Sequence, residues 1–181
     1  MFELITISFL LVCLALLLII IVLMAFHFYA IIVLGHAPYV TTSNNINEAI
    51  LENITIANGS KIYELGCGTA DFLQAAEKKS PNSTFIGIEY NLLPFLLAKI
   101  LLFINRSHIQ LLHKNFFNIQ LNDADIIFCY LNEASMKKLE PKFLSECKPK
   151  TQIISHTFHL PNITPIKTLT VDGHKILFYI T

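Results

Sequence analysis

The distribution of apolar and polar positions divides the chain in two. From Leu4 to Leu34 there is no charged side chain, and nearly every residue is aliphatic or aromatic. A helix of roughly 20 such residues crosses a bilayer, so this run can span with residues to spare. Beyond Gly35 short apolar runs alternate with polar joins. Runs rich in Ile, Phe and Val at Lys61–Leu65, Thr84–Glu89, Ile109–His113, Asp125–Leu131 and Thr151–His156 read as strands of a sheet covered on both faces. Helices are expected at about Ala70–Lys79, Leu92–Ile104 and Glu133–Glu146. An earlier helix is expected from about Ile46 to Ala57, capped by Ser43 or Asn44 and ended by Asn58-Gly59. Near the end, Ile166–Val171 and Lys175–Ile180 flank Asp172-Gly173-His174, a hairpin signal.

Composition agrees with this division. The 181 residues are 54% hydrophobic, and the excess lies in the first segment. A cleaved leader is the rival reading there, since Gly35-His36-Ala37 resembles a small-x-small site. Two features oppose it: the apolar run is far longer than a leader needs, and the residues before it include Glu3 but no Lys or Arg. All thirteen Lys and Arg lie at or beyond Lys61, as do most of the thirteen acids, so the remainder is close to neutral. No basic block marks a nucleic-acid footprint. Cys13, Cys67, Cys129 and Cys147 are scattered and form neither a disulfide framework nor a zinc pattern. The expected boundaries are an anchor over 1–34, a lead-in segment and helix over 35–59, and the main domain over 60–181.

The chemistry centres on Lys61-Ile62-Tyr63-Glu64-Leu65-Gly66-Cys67-Gly68-Thr69-Ala70-Asp71, an apolar strand ending on an acid, a Gly-x-Gly turn and a helix start. Such a turn brings backbone N–H groups close to a ligand. A dinucleotide fingerprint needs a third glycine, and Asp71 stands in its place. An acid before the first glycine would also repel a pyrophosphate, and no Gly-Lys-Ser or Gly-Lys-Thr occurs for a triphosphate.

Five strand–helix units followed by an antiparallel hairpin resemble the S-adenosylmethionine-dependent methyltransferases. The fold class this implies is α/β: a Rossmann-like, seven-stranded, mostly parallel sheet with a terminal antiparallel hairpin, here preceded by an N-terminal transmembrane helix. In that plan Glu64 pairs with the methionine ammonium of the cofactor. Gly66, Cys67 and Gly68 pass beneath it. Glu89, about twenty residues on, accepts the ribose hydroxyls, with Tyr90 beside it. Asn115 reads the adenine amino group, and Phe116 packs on the base.

Several further segments narrow the resemblance. They are Ala37-Pro38-Tyr39-Val40-Thr41-Thr42, Tyr63 to Asp71, Gly87-Ile88-Glu89-Tyr90-Asn91, Asp125 to Leu131, Leu139-Glu140-Pro141-Lys142-Phe143 and Ile153 to Pro161. Together they resemble the small membrane-anchored protein-lysine methyltransferases that include the ATP synthase c-subunit lysine methyltransferase and its prokaryotic relatives. The chain departs from that family at Thr41, where a second proline is usual. It departs at Thr69-Ala70, where Asp-Gly is usual, and at Asn115, where an acid is expected.

The resemblance implies an enzyme using S-adenosylmethionine, with a protein lysine as acceptor and the substrate itself possible within a membrane. A lipid or small amphiphile as acceptor, and a non-catalytic anchored binding module, are the alternatives. Methyl transfer needs alignment and desolvation more than a strong base. Tyr130, after the fourth strand, and Tyr39, in the lead-in segment, are the candidates for shaping the acceptor channel. His156 and His159 are placed at the same rim. Their His-x-x-His spacing lacks a third ligand, so no metal is expected. DNA adenine methyltransferases carry Asn-Pro-Pro-Tyr or Asp-Pro-Pro-Tyr after the fourth strand, and this chain does not, so no nucleic-acid partner is expected. S-adenosylmethionine is made in the cytosol, which puts the main domain on the cytosolic (or matrix) face of the membrane.

Overall fold

The structure is a computed structural model that describes residues 2–32 and 42–181, and these fall into two separate compact units. The first is a single helix, α1 (Phe2–Ile32). Its stretch Ile5–Phe26 has a mean hydropathy of 3.5 and is long and apolar enough to cross a membrane.

The second unit begins with α2 (Asn44–Glu52), followed by β1 (Lys61–Leu65), α3 (Asp71–Lys79), β2 (Thr84–Glu89), α4 (Leu92–Ile104), β3 (Gln110–His113), β4 (Ile126–Cys129), α5 (Glu133–Glu146), β5 (Gln152–His156), β6 (Lys167–Val171) and β7 (His174–Ile180). The strands form one sheet in the order β3-β2-β1-β4-β5-β7-β6. The first five strands are parallel, and β7 runs antiparallel to both β5 and β6. This is the seven-stranded plan with a terminal hairpin that the strand pattern implies.

Each face of the sheet carries its own core. On one, α2, α3 and Leu102 of α4 cover Ile62, Phe85, Phe128 and Ile154. On the other, Met136, Leu139 and Phe143 of α5 cover Leu65, Ile88, Ile127 and Tyr179. Fully burying side chains of this size stabilises the fold by about 1.5–3 kcal/mol each. Two acids close the N-terminal edge of the sheet. Asp123 accepts from Lys61 Nζ at 2.6 Å and Tyr63 OH at 2.9 Å, and the Lys61 ammonium holds its carboxyl below the usual range. Asp125 accepts from the Lys61 backbone N–H at 2.8 Å and pairs with Lys148.

The main departure from the sequence pattern is α2. It stops at Glu52, short of the expected Ala57. Ser43 caps its start, with its hydroxyl accepting from the Ile46 N–H at 3.4 Å. At the other end the Asn53 side chain turns back to the Ala49 carbonyl, and the β-branched run Ile54-Thr55-Ile56 leaves the helix. Ile54 stays buried in the same core, which is why the apolar spacing continues past the helix end.

Candidate functional site

The parallel strands place Glu64, Glu89 and Tyr130 at their C-terminal edge, where α/β sheets bind ligands. β1 pairs with β2 so that Leu65 faces Ile88, and with β4 so that Leu65 faces Cys129. The residues just beyond these positions therefore lie side by side at one edge of the sheet.

The turn after β1 is set by its backbone. The Gly66 and Cys67 N–H groups both donate to the Ile88 carbonyl, at 2.8 and 3.0 Å. Gly66 has φ 72°, and a Cβ there would sit 2.8 Å from Leu131 Cδ2, so any side chain is strained by the backbone and must displace the end of Leu131. Gly68 is also left-handed, and so is Ala70, at φ 60° and fully buried. Ala70 occupies the position where the resembling family carries glycine, and the backbone shows why glycine suits it. Thr69 donates to the Asp71 carboxylate at 2.8 Å as α3 begins.

The two strand-end acids differ in state. Both oxygens of Glu89 hold backbone: Oε2 accepts from the Gly68 N–H at 3.0 Å and Oε1 from the Asn91 N–H at 2.7 Å. Glu64 is equally buried, yet its Oε2 has no hydrogen-bond partner. Burial pushes its carboxyl well above the usual carboxylate range. The charges of Asp71 and Glu89 add to the rise, and the Leu73 amide opposes it. Asp123 and Asp125 each have a lysine; among the described residues Glu64 is in no ion pair and its Oε2 is without a hydrogen-bond donor. Cys67 is buried beside it, and desolvation, then Glu64, raises its thiol well above the ordinary value.

The remaining expected residues are dispersed along the same edge. Tyr90 is half exposed, and its carbonyl is 2.9 Å from the His113 ring, which stacks on Phe95. Asn115 is exposed and caps a 3-10 turn (Phe116–Asn118) by accepting from the Phe117 N–H at 3.0 Å. Phe116 is half-buried against Phe117, with ring centroids 4.6 Å apart. Tyr39 lies outside the described residues.

Tyr130 meets His156 across β4 and β5, with ring centroids 3.8 Å apart. His156 is buried, and neither ring nitrogen has a partner. Desolvation, aided by His174 at 5.1 Å between ring centroids, pushes its imidazole down to about 4. His159, three residues on, is exposed. Thr157, at φ 76°, also keeps a buried hydroxyl without a partner. Sequence reading missed His113, Thr157, His174 and Asn47. Asn47 is a buried amide with both polar atoms unpartnered. Its signal was a polar residue inside the apolar stripe of α2.

The depressed His156 carries a pH consequence. An unfolded histidine titrates near 6.5 and this one near 4, so the unfolded chain binds the extra proton in that interval. Stability is therefore complete above pH 6.5 and declines as pH falls toward 4. His156→Phe is expected to flatten this acid limb in denaturant titrations run between those values. Parallel limbs for the two proteins would remove His156 as the cause.

Known proteins share the fold and match most of the chain's length. A curated protein-lysine N-methyltransferase of Saccharolobus islandicus is 26% identical over 153 residues, covering 80% of this chain and 94% of that protein. Among solved structures, an RNA methyltransferase from Salinibacter ruber, in complex with S-adenosyl-L-homocysteine, superposes with a TM-score of 0.74. It is 20% identical, with 78% of this chain and 93% of that one covered. A precorrin-6y C5,15-methyltransferase from Geobacter metallireducens gives a TM-score of 0.64 at 13% identity, covering 81% and 92%. The model of the ANTKMT methyltransferase domain family matches residues 64–167, more than half of the chain, which thus belongs to that family and is an S-adenosylmethionine-dependent methyltransferase.

Proposed function

We propose that the protein is a membrane-anchored enzyme that methylates a lysine side chain of a protein substrate. The observation that carries the cofactor half is the bare carboxylate oxygen of Glu64. A buried acid without a cation, at the end of β1, is matched to a bound ammonium. Glu64 would hold the cofactor's amino group, Gly66, Cys67 and Gly68 would let its chain pass close, and Glu89 would take the ribose hydroxyls on its remaining lone pairs, beside Tyr90. Asn115 and Phe116, after β3, would flank the adenine. Bound there, the cofactor supplies an electrophilic methyl group.

The protein residues then have to hold an acceptor in line and dry. Tyr130 and the neutral His156 supply an uncharged wall of ring faces and unpartnered nitrogens. Such a wall favours an amine over an ammonium by desolvation, and Tyr39 is the second candidate on that side. The curated relative named for protein-lysine methylation supports lysine as the acceptor. The fold alone does not choose it, since structural neighbours act on RNA and on a precorrin. The apolar α1 supports an anchor over 1–34, joined by 35–59 to the catalytic domain over 60–181, on the cytosolic or matrix side. Anchoring raises the effective concentration of substrates held in the same membrane.

The test is transfer of radiolabelled methyl groups to membranes by the full-length protein, with Glu64→Gln as control. Label in protein that appears as methyl-lysine after hydrolysis is the expected result. Label confined to chloroform-extractable lipid would sink the lysine assignment while leaving the enzyme.

A further inference from the structure

Helix α4 is built inside out. Its buried stripe is Pro94, Ala98 and Leu102, two of them its smallest apolar residues. Its large ones face outward: eight exposed Leu, Ile and Phe side chains, with Phe103 85% exposed. The cause is position. α4 crosses from β2 to the edge strand β3, so only a narrow strip of sheet lies beneath it. Soluble domains rarely leave so continuous an apolar face to water.

The chain segment that carries this face has charge of one sign. Between Glu89 and Asp123 there is no acid, and the charged residues are Lys99, Arg106 and Lys114. Lys99 lies among the outward residues of α4 and Arg106 just past its end. Glu77 of α3 reaches the end of α4 as well, but its carboxylate is taken up by the Ser107 hydroxyl and the His108 N–H. An exposed apolar helix face carrying Lys99 and followed by Arg106 has the composition of an interfacial helix on anionic lipid. At 13 residues α4 is too short to span a bilayer. Eleven residues separate Ile32 of α1 from Asn44 of α2, so a domain anchored through α1 stays within at most about 40 Å of it.

We infer that the outward face of α4, with Leu93, Leu97, Ile100 and Phe103 at its centre, docks onto the anionic surface of the lipid bilayer. This rests on the anchored reading above and adds to it a second contact. Because α4 follows Glu89 directly, docking would present the Glu89 end of the site, the C-terminal edge of the sheet, near the lipid headgroups. A membrane-embedded protein substrate is then met at the same depth.

The chain has no tryptophan, so single introduced tryptophans report alone. The full-length protein is reconstituted into phosphatidylcholine–phosphatidylglycerol vesicles whose acyl chains carry bromine just below the headgroups. Tryptophan replaces Leu97 on α4, exposed Leu144 on α5 as the distant control, or Leu16 in α1. The Leu97→Trp emission is expected to fall about twofold or more and shift to the blue, with Leu144→Trp unaffected. The quenching should weaken in phosphatidylcholine alone or at high salt. Emission from Leu97→Trp as bright as the Leu144→Trp control would overturn the inference. So would unquenched Leu97→Trp together with copy-to-copy crosslinking through Leu97→Cys, which would assign the face to a second copy. Deep-lipid quenching of Leu16→Trp reports on the anchor separately. If it fails, the anchor falls; if it succeeds while Leu97→Trp stays bright, only the docking face falls.

Discussion

Glu64→Gln is expected to strengthen the ligand-free protein while removing its cofactor affinity. The folded carboxyl titrates above the unfolded value of 4.5, so the folded state keeps its proton longer. The stability this confers is complete below pH 4.5 and is lost as pH rises through the folded value. Glutamine keeps an oxygen for the Leu73 amide and carries no charge to bury. At pH 8 the thermal midpoint should rise, by about 2–4 °C for each kcal/mol relieved. The same change deletes the only partner proposed for the cofactor's ammonium. A charge-assisted contact of about 3 kcal/mol corresponds to a loss near 100-fold in affinity, readable by calorimetry. Retained affinity, or a lowered midpoint at pH 8, would show that Glu64 is not an uncompensated acid.

Glu89→Gln is the second large effect and differs in kind. Both carboxylate oxygens accept backbone N–H groups, from Gly68 and Asn91. Glutamine has one acceptor oxygen, so its amide nitrogen must confront a donor. Leaving one buried N–H unmet costs about 1–3 kcal/mol, and the urea midpoint should fall accordingly. Cofactor affinity should drop with it, because the same atoms position the turn after β1. An unchanged urea midpoint would mean that the two N–H contacts add nothing.

The two acids also show what was legible in the sequence. An acid ending an apolar strand before Gly-x-Gly, and a second acid ending the next strand, mark the C-terminal edge whatever the details. β1 and β2 were legible at both ends because each is a continuous apolar run meeting a turn. The states of the two acids were not legible. Whether a carboxylate holds backbone or nothing depends on where Gly68 and Asn91 bring their N–H groups, and local pattern does not encode that. The Tyr130–His156 contact was hidden for a related reason: it exists because β4 and β5 are neighbours, which is topology. α2 was overrun because Ile54 stays buried after the helix ends. α4 was read correctly as a helix, but a helix apolar all round except for Lys99 carries little mark of which side is covered, so its outward face came from the structure.

Glu89 ties the turn after β1 to the turn after β2 through protein contacts alone. Those turns are therefore ordered when the chain folds. Their conformational entropy is lost once, at folding, and is not subtracted again from each binding event. If the cofactor binds at these turns as proposed, its affinity is not reduced by ordering them. Elsewhere in the domain His156, Thr157 and Asn47 still hold buried polar atoms without partners.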